Sequence, residues 1–321
     1  MPRELRQRLL PARLRATASA WLGRTGLGLA EHYTGKQFVA LDYRGQNFIR
    51  IDYPTSALNE PRWDPHPELN ELIGSHARAY RQSLETIVHY RDQLAEIALH
   101  SHDPAEPSWV NGYLPGLDTA AIYAFLRARS PALYLEIGSG NSTLVAHRAR
   151  RDGELRTRIV SIDPHPRAEV DAICDRVVRA PLEAADQSVF SELREGDVLF
   201  FDGSHRTFMN SDVTVFFCEV VPRLPAGVLV GVHDIYLPFD YPQEFADRYY
   251  SEQYMLAAHL LAGNVAIEPV LAAWYVSVRS EFGDVIAPLW SHPRLREAEG
   301  HGGAFWWISR DAAAPAPPAA P

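Results

Sequence analysis

Four apolar β-type runs that close on acids, separated by stretches of helical pattern, constrain this chain more than any other feature. They are Leu133-Tyr-Leu-Glu136, Arg158-Ile-Val-Ser-Ile-Asp163, Asp197-Val-Leu-Phe-Phe-Asp202 and Gly227-Val-Leu-Val-Gly-Val-His-Asp234. Strand and helix alternating in this way imply a parallel sheet covered on both faces, because each crossover helix must lie against it. The order reads strand 132–137, helix 142–151, strand 158–163, helix 167–174, strand 176–179, helix 186–194, strand 197–202, helix 211–223 and strand 227–233. A helix at 252–261, a β run from Ile267 to Val278 and a closing Ala304-Phe-Trp-Trp-Ile-Ser309 follow, and the last two predict an antiparallel pair. Trp306 and Trp307 alternate on that strand, so one of them should face the core.

The first run opens into Ile-Gly-Ser-Gly-Asn-Ser-Thr. Gly138 and Gly140 suit a loop whose backbone N–H groups approach a ligand, with Asn141, Ser142 or Thr143 starting a helix. The dinucleotide fingerprint wants a third glycine at its sixth position, which here is Thr143. That disfavours a pyrophosphate grip and favours a ligand with an adenosine but no diphosphate.

Ahead of this region, Phe38–Tyr43 and Phe48–Tyr53 predict a β-hairpin in which Val39, Leu41 and Tyr43 share a face with Ile49, Ile51 and Tyr53. Apolar residues from Leu69 to Ile97 recur with the spacing of one long amphipathic helix. A stretch rich in proline, glycine and tryptophan at 104–117 marks a boundary, giving an N-terminal extension over 1–108 and a main domain over 109–310. Residues 311–321 are Ala/Pro-rich and predict a disordered tail.

A net charge of −9 over 321 residues argues against general nucleic-acid binding, which needs a clustered basic surface. No window reaches the ~18 apolar residues of a membrane span. The arginines between Arg3 and Arg24 face only Glu4, and they leave open surface association through a basic helix. Without a secretory pattern the chain reads as cytoplasmic. Lys36 is the sole lysine and precedes the whole domain, so neither a Walker phosphate loop nor the Tyr-x-x-x-Lys pair of short-chain dehydrogenases is present. The composition leaves oligomeric state open.

The stretches Glu136 to Thr143, Asp202-Gly-Ser-His205, His233-Asp-Ile-Tyr-Leu-Pro238 and Gly302-Gly-Ala-Phe-Trp-Trp307 together resemble class I S-adenosylmethionine-dependent methyltransferases. The similarity is narrowest to the branch with Glu-Ile-Gly-Ser-Gly-x-Ser-Thr, Asp-Gly-x-His and His-Asp-Ile motifs, and Ser142 departs from the third glycine of many wider members. The resemblance implies a doubly wound, mostly parallel seven-stranded sheet of Rossmann-like α/β class with an antiparallel last strand. It implies S-adenosylmethionine as cofactor, held by Glu136, Gly138, Ser139, Gly140, Asn141, Ser142, Asp163 and Asp202. Glu136 would support the ammonium, Asp163 the ribose hydroxyls, and residues around Arg179 to Leu182 would flank the adenine. Hydrogen bonding of Glu136 to the loop, and capping by Asp163, are the structural alternatives.

On the same resemblance His205 and His233 are the candidate bases, and Asp202 with Asp234 the candidate ligands of a divalent metal such as Mg. The expected acceptor is a small or medium-sized molecule, methylated on oxygen more readily than on nitrogen. A nicotinamide-dependent oxidoreductase and a non-catalytic cofactor-binding module are the competing readings. Trp109, Asn111 and Tyr113 are candidates for a lid or for linker packing. The aromatics of 235–250 fit either an aromatic or sugar acceptor, or a packed loop.

Overall fold

A computed structural model describes residues 37–41, 48–51, 61–166, 168–263 and 266–311. The chain divides into two units, residues 1–60 and 61–321. In the first, strands β1 (Gln37–Leu41) and β2 (Phe48–Ile51) pair antiparallel, with Phe38 opposite Arg50 and Ala40 opposite Ile49 across a register shift. The hairpin forms, but its register sets Ile49 opposite Ala40 and Ile51 opposite Gln37 rather than in line with Val39 and Leu41. The basic N-terminal helix, Tyr43, Tyr53 and the 312–321 tail lie outside the described residues.

In the second unit the strands are β3 (Leu133–Ile137), β4 (Arg158–Ile162), β5 (Arg176–Val178), β6 (Val198–Phe201), β7 (Leu229–Val232), β8 (Ile267–Ala272) and β9 (Phe305–Ser309). They form one seven-stranded sheet in the order β5-β4-β3-β6-β7-β9-β8. Strands β3 to β7 are mutually parallel and β9 runs antiparallel to both neighbours, as the sequence reading requires. Every residue of β3, β6 and β7 is buried, the mark of strands covered on both faces. The connection order reverses between β3 and β6, and open α/β sheets bind ligands at the carboxyl ends of the strands at such a point.

Double coverage also corrects the expectation for the last strand, since Trp306 and Trp307 are both fully buried. Trp306 stacks on Phe200 at 5.3 Å and lies so close to Gly231 that a Cβ there would fall 2.6 Å from the indole.

The helical segments depart from the sequence reading in length rather than in place. The long helix expected over 69–97 is broken into α1 (Pro67–Gly74), α2 (Ala77–His89) and a single turn at Arg91–Leu94. The Ser75 hydroxyl turns back onto the Leu72 carbonyl at the first break. Its apolar stripe is nonetheless buried at Leu69, Ile73, Tyr80, Leu84, Ile87 and Leu94. The stripe belongs to the same core as the sheet. Helix α2 lies along the outer strand β8, where the Ser83 hydroxyl donates to the Val270 carbonyl at 2.7 Å.

Helices α3 (Gly116–Arg129) and α4 (Asn141–Asp152) flank β3. The expected helices at 167–174 and 186–194 are only 3₁₀ turns, at Asp171–Ile173 and Gln187–Glu192. Two prolines, Pro164 and Pro166, precede the first of them and oppose helical backbone. Helix α5 (Asp212–Val215) widens into a π turn over 216–220 and ends in a 3₁₀ turn at Pro222. The β run expected to Val278 stops at Ala272, and Ala273–Ser277 forms a short helix. Helix α6 (Glu252–Leu261) stands where expected.

Candidate active site

The glycine turn sits on the switch point because of steric need. Gly138 has φ +78°, and a Cβ there would lie 1.8 Å from the Asp202 carbonyl oxygen. No side chain fits between the ends of β3 and β6. The Gly138 N–H donates to the Ile162 carbonyl at 3.0 Å and the Asp202 N–H to the Ile137 carbonyl at 2.8 Å. The tips of β3, β4 and β6 are thereby joined. Gly140 leads into α4, its N–H donating to the Thr143 hydroxyl at 3.1 Å. Asn141 opens the helix, and Ser142 and Thr143 are buried in its first turn.

Asp163 ties this turn to β4. Its Oδ2 accepts the Ser139 N–H and its Oδ1 the His165 N–H, both at 2.6 Å. The Ser139 and Ser161 hydroxyls pair at 2.5 Å. A carboxylate has further lone pairs beyond these two bonds, so the group has capacity to accept more. Glu136 lies below the turn with no exposed surface. It accepts from the Tyr134 hydroxyl at 2.8 Å and from the Thr143 hydroxyl. Burial pushes its carboxyl up to about 7, against the opposing hydrogen bonds of Ser142, Thr143 and Tyr134. Arg179 donates to the Asp163 carbonyl at 3.0 Å and pairs with Asp171, while Leu182 is buried.

Beside the turn, the ends of β6 and β7 bring a second group together. His205 Nε2 is 3.2 Å from Asp202 Oδ1 and 3.5 Å from Asp234 Oδ2, and its Nδ1 hydrogen-bonds to Glu252. His233 Nε2 is 3.3 Å from Asp118 Oδ2, and its Nδ1 is 3.5 Å from Asp202 and 3.6 Å from Asp234. Four acids therefore surround two buried imidazoles.

Burial alone would push both histidines down. For His205, Glu252 and Asp202 outweigh it, and for His233, Asp234 and Asp202 do, so both are held well above the ordinary value. Burial opposes ionisation of Asp202, but the two imidazoles reverse it and hold its carboxyl far below the usual range. His205 and Asp234 have left-handed backbones at φ 61° and 54°, a conformation costly for non-glycine residues and concentrated at functional sites.

Asp118 and Glu252 are the members that sequence reasoning missed. Asp118 stands in the first turn of α3, where an acid reads as an ordinary helix start, yet its carboxylate accepts the Gly303 and Ala304 N–H groups at 2.6 and 3.0 Å. Glu252 opens α6 and is fully buried. Burial of an acid at a helix start was the only available clue, and it is visible only in three dimensions.

One oxygen each from Asp202 and Asp234 and a His233 nitrogen lie within 4.8 Å of one another. The two carboxylates suit a hard ion such as Mg or Mn and the imidazole a softer one such as Zn, and the imidazole can ligate only when neutral.

Other candidates fall outside the site. Trp109 is core, packed against Trp290 at 6.3 Å, and Asn111 ties its own turn by accepting the Tyr113 and Leu114 N–H groups. In the 235–250 loop the rings of Tyr236, Tyr241, Phe245 and Tyr250 pack on one another. A cavity of about 980 Å³ among Leu84, Val276, Ile286 and Trp290 includes Leu117 in its wall but no glycine-turn residue.

Among known proteins, a family model described as a methyltransferase domain matches residues 135–235, from β3 through Asp234. No curated protein matches the chain by sequence. Solved structures to which it is similar include the methyltransferase PaMTH1 of Podospora anserina bound to SAH, at 16% identity over 61% of this chain and 79% of that one, with a TM-score of 0.38. An O-methyltransferase from Bacillus cereus in complex with SAH is similar at 13% identity over 71% and 91% of the two chains, with a TM-score of 0.36. No helix among the described residues is long and apolar enough to cross a membrane. The matched segment spans the glycine turn and both histidine-bearing strand ends, so this part of the chain is similar to a methyltransferase domain.

Proposed function

We propose that this enzyme moves the sulfonium methyl group of S-adenosylmethionine to a hydroxyl oxygen of a small or medium-sized acceptor. The observation that carries this reading is the cluster of Asp118, Asp202, His205, His233, Asp234 and Glu252 beside the glycine turn. In-line methyl transfer needs alignment of donor and acceptor, and little covalent help. A neutral amine attacks without prior loss of a proton, whereas a hydroxyl becomes a good nucleophile only as its proton leaves. A buried network of carboxylates and imidazoles therefore has most to contribute to an oxygen acceptor.

Gly138, Ser139 and Gly140 bring backbone to the cofactor, with Asn141 and Ser142 at the start of α4 beside it. Asp163 accepts from the ribose while holding the turn, and Glu136 supports the turn from below. Asp202 lies where the turn meets the cluster. At the acceptor end, the hydroxyl proton passes to Asp234. The imidazolium groups of His205 and His233 stabilise the negative charge that develops on oxygen as its proton leaves, before that electron pair forms the C–O bond and the C–S pair returns to sulfur. Were a divalent ion held there by Asp202, Asp234 and Nδ1 of a neutral His233, it would replace that imidazolium as the stabilising charge and lower the pKa of the acceptor hydroxyl.

The test is calorimetric binding of S-adenosylmethionine and SAH, followed by methyl transfer from labelled S-adenosylmethionine across a panel of phenols, sugars and amines. Binding with label on hydroxyl compounds supports the reading. Absence of SAH binding, or label on amines alone, overturns it.

A further inference from the structure

The segment carrying His205 is fastened to the start of α6 by more than one bond. The His205 carbonyl accepts the N–H groups of Ser251 and Glu252 at 2.7 and 3.2 Å. The Thr207 N–H donates to the Ser251 hydroxyl and the Arg206 Nε to the Arg248 carbonyl, both at 2.9 Å. The Tyr250 ring lies over the imidazole at 4.4 Å and 29°. These contacts hold a left-handed residue in place without any help from the Glu252 carboxylate.

A carboxylate at this position therefore needs its own explanation. Glu252 has no exposed surface, its Oε1 is bonded to His205 Nδ1, and its Oε2 is buried without a hydrogen-bond partner. Burying such a group is costly unless it is paired. Backbone bonds and ring stacking already fix the loop, so the acid acts on the ring nitrogen. In an imidazole, the partner of one nitrogen decides what the other presents. Here the other nitrogen, Nε2, stands between Asp202 at 3.2 Å and Asp234 at 3.5 Å.

We propose that Glu252 is a positioning residue for methyl transfer: it keeps a proton on Nδ1 of His205 and fixes Nε2 between the carboxylates of Asp202 and Asp234. The purpose of this arrangement rests on the methyltransferase reading, but its geometry does not. Asp202 and Asp234 would repel each other and swing apart without a donor between them. Glu252 thus acts on the acceptor end of the site through His205, and leaves the glycine turn and Asp163 untouched.

The test uses the full chain with ¹⁵N-labelled histidine, freed of metal by chelation and held near neutral pH. The His205 ring signals are assigned by their loss in H205N. The isosteric E252Q keeps the shape of the site but replaces a charged acceptor with a weaker neutral one. The expected result is exchange of the His205 Nδ1 proton with solvent about tenfold faster in E252Q, loss of that signal in E252A, and partial recovery in E252D. SAH affinity in E252Q stays within about twofold of wild type, and kcat with any acceptor that takes label falls by roughly 10²-fold or more. An unchanged Nδ1 proton in folded E252Q overturns the proposal, as does a loss of Tm and SAH binding without any change in that proton. If SAH fails to bind wild type, the methyltransferase reading fails, while the Nδ1 result still decides the role of Glu252.

Discussion

Gly138 and Asp202 meet so closely that a single methyl group on the Gly138 α-carbon would lie 1.8 Å from the Asp202 carbonyl oxygen. The contact joins the glycine turn to the strand end that carries the acid and histidine cluster. Substituting G138A adds this overlap to the cost of a left-handed backbone, ~1–2 kcal/mol for a non-glycine residue. Thermal and urea unfolding should show a loss of more than about 2 kcal/mol, with weakened SAH binding. Wild-type stability in G138A would mean that the turn is not packed against β6.

Asp163 offers the second prediction. Its carboxylate already holds the Ser139 and His165 N–H groups, and in the proposed complex it also accepts from the ribose. D163A should weaken SAH binding by one to a few kcal/mol, each charge-assisted bond contributing roughly 1.5–3 kcal/mol. Unaltered affinity by calorimetry would remove Asp163 from the cofactor site.

Glu136 makes stability depend on pH with a definite sign. Its carboxyl is raised in the folded chain from 4.5 to about 7, so between these values the unfolded state loses a proton that the folded state retains. Stability from this group is complete below the lower value and declines as pH rises toward the upper one. E136Q cannot ionise. Wild type should therefore lose stability relative to E136Q across that interval, by an amount of order 3 kcal/mol. Parallel stability curves for the two proteins would show that Glu136 ionises freely in place.

Metal dependence is tested at Asp202, His233 and Asp234. Chelation should abolish methyl transfer, and Mg or Mn should restore it. Either ion should also raise Tm, since ~2.7 kcal/mol of stabilisation accompanies a ligand at 100 times its Kd. D234N should lose that rise in Tm. Activity that persists after thorough chelation would exclude the ion.

Much of the sheet was readable in advance because fully buried parallel strands write unbroken apolar runs, and acids at Glu136, Asp163, Asp202 and Asp234 marked their ends. The glycine turn was readable because Gly138 and Gly140 follow an apolar run ending in an acid, whereas the approach to Asp202 that requires Gly138 shows only in the fold. The irregular helices were less visible. The π turn at 216–220, with Pro222 just beyond it and Phe216 stacked on Phe201 at 4.2 Å, leaves no mark in the periodicity. Asp118 and Glu252 escaped because their partners, His233 and His205, are remote in sequence and close only after α3 and α6 dock on the sheet. Trp306 and Trp307 misled for a related reason. Alternation predicts opposite faces, but whether a face is wet depends on elements elsewhere in the chain.

The bond from Ser83 to Val270 has an implication for solubility. An outer strand with bare backbone groups is a template on which other chains can polymerise. By lying along β8, α2 shields that template. Trimming the protein back to residue 109 on the strength of its motifs alone would uncover it, so aggregation rather than inactivity would be the first symptom of the shortened form.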